Sequence, residues 1–217
     1  MTNTEENLIE LVVSRLQTMP ENLAISIGSD GTFKKKDKIT ILKGKQANLR
    51  EFTNIVKKNQ PSFIFFNGHG NETSITGHNN QPLVNANTNV EILKNKIVYA
   101  LSCQSAKKLG PKSIKQGTKT YIGYTEDFIF VYDTNKKKFP KKDEIAGCFL
   151  SASNQIAVSL LEKKSTGQAY ADSQNAFQKN IRSSLTSESK TDQSSMMRFL
   201  IWDMKHQVCL GNQDAKI

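Results

Sequence analysis

Two short apolar runs constrain the fold of this chain more than any other feature. Phe63–Phe66 and Ile97–Leu101 are almost wholly apolar, and polar or turn-forming residues bound both runs. A strand that is buried on both faces of a parallel sheet has this pattern. Between a strand over Lys38–Leu42 and the first run, apolar residues at helical spacing predict a helix over Gln46–Lys58, and thus a βαβ crossover. The sequence therefore predicts an α/β fold with a mostly parallel sheet.

We expect the 217 residues to form a single domain. Apolar positions spaced by three and four predict an N-terminal helix within residues 1–20 and two longer helices over Glu144–Lys163 and Gly167–Leu185. Residues 186–217 begin with a polar stretch, and we expect them to form a C-terminal appendage in which Val208–Leu210 is a strand candidate.

Charge and cysteine content narrow the range of functions. The formal net charge is +10, but the lysine runs lie in predicted loops without interleaved aromatic residues. We therefore interpret them as a solvated surface and expect no direct contact with nucleic acid. The start of the chain has no basic region, and no apolar run approaches the roughly 18 residues of a membrane span, which indicates a cytoplasmic protein. Three widely separated cysteines without a CxxC pair favour neither a disulfide nor a metal site, and no motif indicates a cofactor.

A histidine and a cysteine follow directly on the two apolar runs. The first run leads into Asn67-Gly68-His69-Gly70 and the second into Ser102-Cys103. Ligands of open α/β sheets bind at the carboxyl ends of the parallel strands, so His69 and Cys103 are predicted to lie at such a site. We expect a short helix over Gln104–Leu109, whose N-terminal amides would lower the pKa of the Cys103 thiol. A thiol beside an imidazole indicates nucleophilic cysteine catalysis.

The two motifs FFNGHG and ALSCQS, in this order and on consecutive buried strands, resemble the catalytic core of caspase-like cysteine peptidases of clan CD. The pattern is similar to the CHAT and gingipain/clostripain-like branches of that clan. His69 and Cys103 are 34 residues apart, whereas caspases separate the pair by roughly 50 residues and carry a Gln-Ala-Cys signature, which is absent here. The resemblance covers Lys38 to about Leu161.

The resemblance implies a three-layer sandwich with helices on both faces of the sheet and a cysteine endopeptidase without a cofactor. In such an enzyme Cys103 attacks the scissile carbonyl, His69 is the general acid and base, and the Gly70 and Cys103 N–H groups hold the oxyanion. The substrate is a protein or peptide, an activating partner protein is a possibility, and the context is regulation or microbial defence. The basic loop 132–143 lies where caspase-like enzymes are cleaved during activation.

The sequence leaves alternatives open for the residue preferred before the cut and for the biochemical function. Basic-specific relatives often carry an acid two residues before the cysteine, where this chain has Leu101, which would favour an apolar residue before the cut. Glu126 and Asp127 follow the next predicted strand and are candidates for an acidic pocket, and Asp127 is slightly favoured. The alternative functions are a catalytically silent binding module for nucleic acid or an acidic protein, and a cysteine-dependent acyltransferase or amidase.

Overall fold

The two apolar runs form neighbouring strands at the centre of a six-stranded sheet. In the computed structural model the chain is described over residues 23–27, 40–136, 143–186 and 193–217, so the predicted N-terminal helix and the middle of the basic loop, 137–142, lie outside the described residues. The strands are β1 (Leu23–Ile27), β2 (Thr40–Leu42), β3 (Phe63–Asn67), β4 (Gly70–Asn71), β5 (Ser74–Thr76), β6 (Pro82–Asn85), β7 (Ile97–Leu101), β8 (Thr120–Tyr124) and β9 (Gln207–Gly211). The helices are α1 (Leu49–Asn59), α2 (Leu109–Lys115), α3 (Glu144–Leu161), α4 (Thr166–Thr186) and α5 (Gln193–His206), with short 3-10 turns at Gly44–Gln46, His78–Asn80, Val90–Leu93 and Thr134–Lys136.

The order of strands in the large sheet is β2-β1-β3-β7-β8-β9. The central strands β3, β7 and β8 pair in parallel, and β1 and β9 run antiparallel to their neighbours. Because β2 is antiparallel to β1, four of the six strands run in one direction. The prediction of a mostly parallel sheet is therefore confirmed. β2 and β3 run in the same direction and are connected through α1, as the predicted βαβ crossover requires, and β1 lies between them in the sheet.

Helices cover both faces of the sheet, and the alternation of side chains along the strands explains why. Phe63, Phe65 and Tyr99 point to one face, where they pack with α3 and α4. The intervening Ile64 and Phe66 point to the other face and pack with α1 and α2. Each such side chain stabilises the fold by roughly 1.5–3 kcal/mol relative to an exposed position. The predicted arrangement of helices on both faces is confirmed.

Helix α3 begins at a buried aspartate. Asp143 Oδ1 accepts the Ile145 and Ala146 N–H groups at 3.1 and 3.0 Å, which is the pattern of an N-cap. Asp143 Oδ2 accepts the Asp133 N–H at 2.8 Å and so holds the two ends of the basic loop together. By length and composition α3 alone among the described helices is apolar enough to cross a membrane, but 56% of it is buried inside the protein. Its buried residues, among them Phe149 and Leu160, pack in the core, so it is a core helix.

The C-terminal residues are not an appendage. β9 adds to the large sheet by pairing antiparallel with β8, from Tyr124 opposite Gln207 to Thr120 opposite Gly211. α5 packs on α3 and α4, and Leu200 is fully buried between them. The predicted strand at Val208–Leu210 is confirmed, but its own sequence does not indicate which strand it pairs with.

A buried carboxyl group on α5 lies close to this core. Asp203 is fully buried, and its Oδ1 accepts the Ile129 N–H at 3.0 Å. Its Oδ2 has no hydrogen-bond partner among the described residues. Burial raises the pKa of Asp203 from 3.8 to about 8, because the ionised form loses its hydration.

Replacing Asp203 with Asn is expected to change how the stability of the fold depends on pH. The raised pKa means that the folded chain keeps a proton that the unfolded chain releases. This contribution is complete below the ordinary pKa of 3.8 and is lost as pH rises through about 8. Urea unfolding measures the free energy of unfolding of both proteins between about pH 5 and about pH 9. Over this range the stability of wild type should fall relative to that of Asp203→Asn by on the order of a few kcal/mol.

The exposed Asp214→Asn variant controls for the loss of one carboxylate. A difference between wild type and Asp203→Asn that stays constant with pH would contradict the prediction.

Candidate active site

The pairing of β3 with β7 sets the positions of His69 and Cys103. Asn67 lies opposite Leu101 at the end of the paired segment, and the Gly68 N–H donates to the Leu101 carbonyl at 3.1 Å. His69 and Cys103 are each two residues beyond that last pair. Neighbouring strands are about 5 Å apart, so the backbone segments that carry the two residues are neighbours at the carboxyl edge of the sheet.

The backbone of His69 is held by the small sheet that follows it. β4, β5 and β6 form a three-stranded antiparallel sheet, and the His69 carbonyl accepts the Thr76 N–H at 3.0 Å and the Thr76 hydroxyl at 3.2 Å. The His69 side chain itself is exposed. The fold thus fixes the main chain of His69 and leaves its imidazole accessible.

Gly70 makes the closest contact between the histidine and cysteine segments. A Cβ atom at this position would collide with Ser102 Oγ and would lie 2.9 Å from the Ser74 carbonyl oxygen and 3.3 Å from the Cys103 carbonyl oxygen. A glycine is therefore required here by the approach of two backbones. Ser102 Oγ is buried and has no hydrogen-bond partner among the described residues.

The residues after Cys103 form turns and not the predicted helix. Gln104 has a φ of 55°, which is left-handed, and its N–H donates to the Glu126 carbonyl at 3.1 Å. The helix begins only at Leu109 and continues through Pro111. Pro111 lies in the first turn of this helix, where proline is tolerated because its missing N–H has no partner there. The expected helix N-terminus at the sulfur is absent from this described segment.

The electrostatic surroundings of the thiol are acidic. Burial raises the pKa of the half-buried Cys103 thiol, and the negative charge of Asp127 raises the same pKa further. Asp203 acts in the same direction only when it is ionised, and its own pKa of about 8 places that above neutral pH. The Phe128 N–H lowers it by interacting with the sulfur. The predicted lowering of the thiol pKa is therefore wrong for the resting site. The predicted helix, whose N-terminus would have stabilised the thiolate, does not form after Cys103. The carboxyl groups of Asp127 and Asp203 lie near the sulfur instead.

The three candidate specificity residues lie in different environments. Leu101 is 5% exposed and packs in the core with Tyr99 and α3, so its side chain does not face the exterior. Glu126 forms an ion pair with Lys107 at 3.5 Å. Asp127 is exposed, its Oδ1 accepts the Gln104 side-chain amide at 3.0 Å, and it has no ion-pair partner among the described residues. The structure brings Asp127, and neither of the others, to the thiol of Cys103.

Sequence reasoning did not find the contacts that join the histidine and cysteine segments. The Glu72 carbonyl accepts the Lys108 and Leu109 N–H groups at 3.2 and 2.8 Å. The Glu72 carboxylate pairs with Lys107 at 3.1 Å and with Lys108, and hydrogen bonds from these two lysines lower the pKa of Glu72. In the sequence, these contacts are indicated only by the presence of Glu72 three residues after His69 and of Lys107 and Lys108 shortly after Cys103.

Trp202 and Asp203 were missed for a similar reason. The Trp202 Nε1–H donates to the Asp127 carbonyl at 3.0 Å, and the Asp203 carboxyl holds the Ile129 N–H. Both residues belong to α5, which the sequence analysis placed in an appendage away from the site. No spacing in the sequence relates them to Cys103.

Comparison of the chain with protein-family models, with curated proteins and with solved structures finds no match. Within the described ranges, no group of three or more His, Cys, Asp or Glu side chains is arranged to hold a metal ion. The interpretation of the site therefore depends on its own geometry.

Gly70→Ala is expected to lower the unfolding free energy by roughly 1–3 kcal/mol, because the added methyl group has no space beside Ser102 and the Ser74 carbonyl. Gly147→Ala in α3 is the matched control, since no neighbouring atom lies within 4 Å of an added Cβ there. This control should raise the unfolding free energy by roughly 0.5–1 kcal/mol, as is usual for glycine to alanine in a helix. Chemical denaturation measures both, and equal effects would contradict the close contact.

Asp127→Asn is expected to lower the pKa of the Cys103 thiol, because it removes a negative charge that disfavours the thiolate. Alkylation of Cys103 by iodoacetamide near neutral pH should then be roughly a few-fold faster, since the thiolate is the reactive form. Mass spectrometry separates Cys103 from the other two cysteines. Glu126→Gln is the control and should leave the rate unchanged, as that carboxylate pairs with Lys107. Faster alkylation of the control alone would refute the assignment.

Proposed function

We propose that the protein is a cysteine endopeptidase with Cys103 as nucleophile and His69 as general acid and base. The observation that supports this most is the matching register of the two residues. Both follow by two positions the last pair, Asn67 and Leu101, of adjacent parallel strands. A thiol and an accessible imidazole at that edge are the two groups that covalent cysteine catalysis requires.

The reaction would proceed through an acyl-enzyme. His69 takes the proton of the Cys103 thiol as the sulfur adds to the scissile carbonyl carbon, and the carbonyl oxygen becomes an oxyanion. The oxyanion collapses and the C–N bond breaks as His69 gives that proton to the leaving amine, which becomes the new amino terminus. Water then adds to the thioester while His69 takes one of its protons. The C–S bond breaks, His69 returns the proton to the sulfur, and the carboxylic acid and the free thiol are released.

Two backbone groups are suited to the oxyanion. The bond from the Thr76 N–H to the His69 carbonyl makes Gly70 and Ile75 a non-hydrogen-bonded pair, so the Gly70 N–H points away from β5. The Cys103 N–H has no backbone acceptor among the described residues. Both donors come from segments fixed by backbone hydrogen bonds, which favours stabilisation of developing charge.

The acids beside the thiol support a preference for a basic residue before the cut. Asp127 is exposed and lacks a cationic partner among the described residues, whereas Glu126 is occupied by Lys107 and Leu101 is buried. A substrate lysine or arginine that pairs with Asp127 would offset the charge that raises the pKa of Cys103. The thiol would then become more reactive when the substrate is bound.

The substrate class, location and activation that we propose come from the resemblance to caspase-like cysteine peptidases. The substrate is a protein or peptide in the cytoplasm, activation involves a partner protein, and the chain is cleaved in the basic loop 132–143. The ends of that loop are held together by Asp143, so a cut between them would leave both new termini attached to the fold.

A second candidate function is a catalytically silent binding module. The observation that favours it is the raised pKa of the Cys103 thiol, which leaves little thiolate at neutral pH in the resting site. The two candidates differ in whether peptide bonds are broken.

The test is incubation of wild type, Cys103→Ala and His69→Ala with a mixed peptide library, with cut sites read by mass spectrometry. Cleavage by wild type alone, after Lys or Arg, is the expected result. Asp127→Asn should lose that preference while keeping some activity. The intact masses of purified wild type and Cys103→Ala show whether the basic loop is cut by the chain itself.

Cleavage that persists in Cys103→Ala would refute the proposed nucleophile. If wild type cuts nothing and a peptidyl electrophile does not label Cys103, the silent binding module is the better description.

A further inference from the structure

A groove lies at the edge of the sheet opposite to His69 and Cys103. Its walls are α1 and residues 89–96, and its volume is about 580 Å³. Gln60 and Lys96 line it, and these residues immediately precede the region where β3 and β7 begin. Because His69 and Cys103 follow the other ends of the same strands, the groove is separate from the candidate active site.

The groove is elongated because one face of α1 forms its wall. Leu49, Thr53, Val56 and Gln60 recur at intervals of four, three and four residues, so they line the helix from its first turn to its end. A helix of this length extends over about 16 Å. Leu49 is 46% exposed, an unusual position for a large apolar side chain next to a concave surface. This shape suits a segment of polypeptide.

The end of the groove near Gln60 is cationic. Lys96 is only 5% exposed, and its Nζ donates to the neutral Gln60 Oε1 at 3.4 Å. No carboxylate pairs with Lys96 in the part of the chain that the structure describes. Burial lowers the pKa of Lys96, and the nearby charge of Lys119 lowers it further. A buried ammonium group without an opposite charge is costly, and a bound carboxylate would offset that cost.

Two further lysines reinforce this charge. Lys57 and Lys94 line the groove and are exposed, and Glu91 is the only acid among the described residues that line it. None of these described residues is aromatic, so they provide no stacking platform of the kind typical of proteins that bind single-stranded nucleic acid. Charge and apolar surface together favour an acidic, partly apolar peptide.

We propose that this groove binds an extended segment of a partner protein, which places an apolar side chain against Leu49 and an acidic side chain against Lys96. The apolar contact covers the exposed leucine, and the carboxylate supplies the counter-charge that Lys96 lacks within the described chain. Binding does not require the peptidase activity, since the groove and the candidate active site lie at opposite edges of the sheet.

The experiment uses the full chain with Cys103→Ala, so that no peptide is cut during binding. The probes are short synthetic peptides that alternate Leu or Ile with Asp or Glu, together with matched sets carrying Asn and Gln or Lys and Arg in place of the acids. Fluorescence anisotropy measures their affinity. Lys96→Met, Lys57→Met and Leu49→Ser alter the groove, and Lys112→Met, an exposed lysine on α2, is the control for net charge.

Preferential binding of the acidic apolar peptides is expected, with the affinity falling by about tenfold or more in Lys96→Met and Leu49→Ser. Lys112→Met should bind as the parent does. Lys57→Met and Leu49→Ser change exposed side chains, so they remain informative if Lys96→Met fails to fold. Equal binding of acidic and neutral peptides, or equal weakening by Lys112→Met, would overturn the proposal. If a single-stranded DNA oligonucleotide binds more tightly than the peptides and depends on the same lysines, the ligand of the groove is nucleic acid and the proposal is overturned.

Discussion

The register between β3 and β7 is the constraint on which the rest of the molecule depends. A shift of one residue would exchange the two faces of one strand relative to the other and would move either Phe65 or Tyr99 away from α3. Because the strands are buried on both faces, each face fits only its own helices, and the packing allows a single register. The same register places the segments of His69 and Cys103 next to each other. Core packing and the geometry of the candidate site therefore have one physical origin.

Much of the central fold could be predicted from the sequence, because its signals are local and strong. The runs Phe63–Phe66 and Ile97–Leu101 are continuous and apolar, and each lies within a predicted strand that is present in the structure. The apolar positions within Glu144–Lys163 likewise predicted the position of α3 to within a few residues. The adjacency of His69 and Cys103 followed from a general property of parallel sheets and needed no knowledge of the side-chain contacts.

The remainder depends on contacts between distant parts of the chain, which local patterns do not encode. The turn at Gln104 is stabilised by the Glu126 carbonyl beyond β8, so propensity alone favoured a helix. The raised pKa of Cys103 results first from burial of the thiol and then from Asp127, which lies beyond the next strand of the sheet. The place of β9 in the sheet results from pairing with β8, which lies more than eighty residues earlier in the chain. Each error arose where tertiary structure overrides local preference.

The two hydrogen bonds to the Glu72 carbonyl have a mechanical consequence. They join the segment of His69 to the turn of Cys103. Residues 127–129 are attached instead to α5, through Trp202 and Asp203. The walls of the candidate site are thus held by two different sets of contacts. A displacement of α5 would move residues 127–129 beside the sulfur and would leave the hydrogen bonds between the other two segments intact.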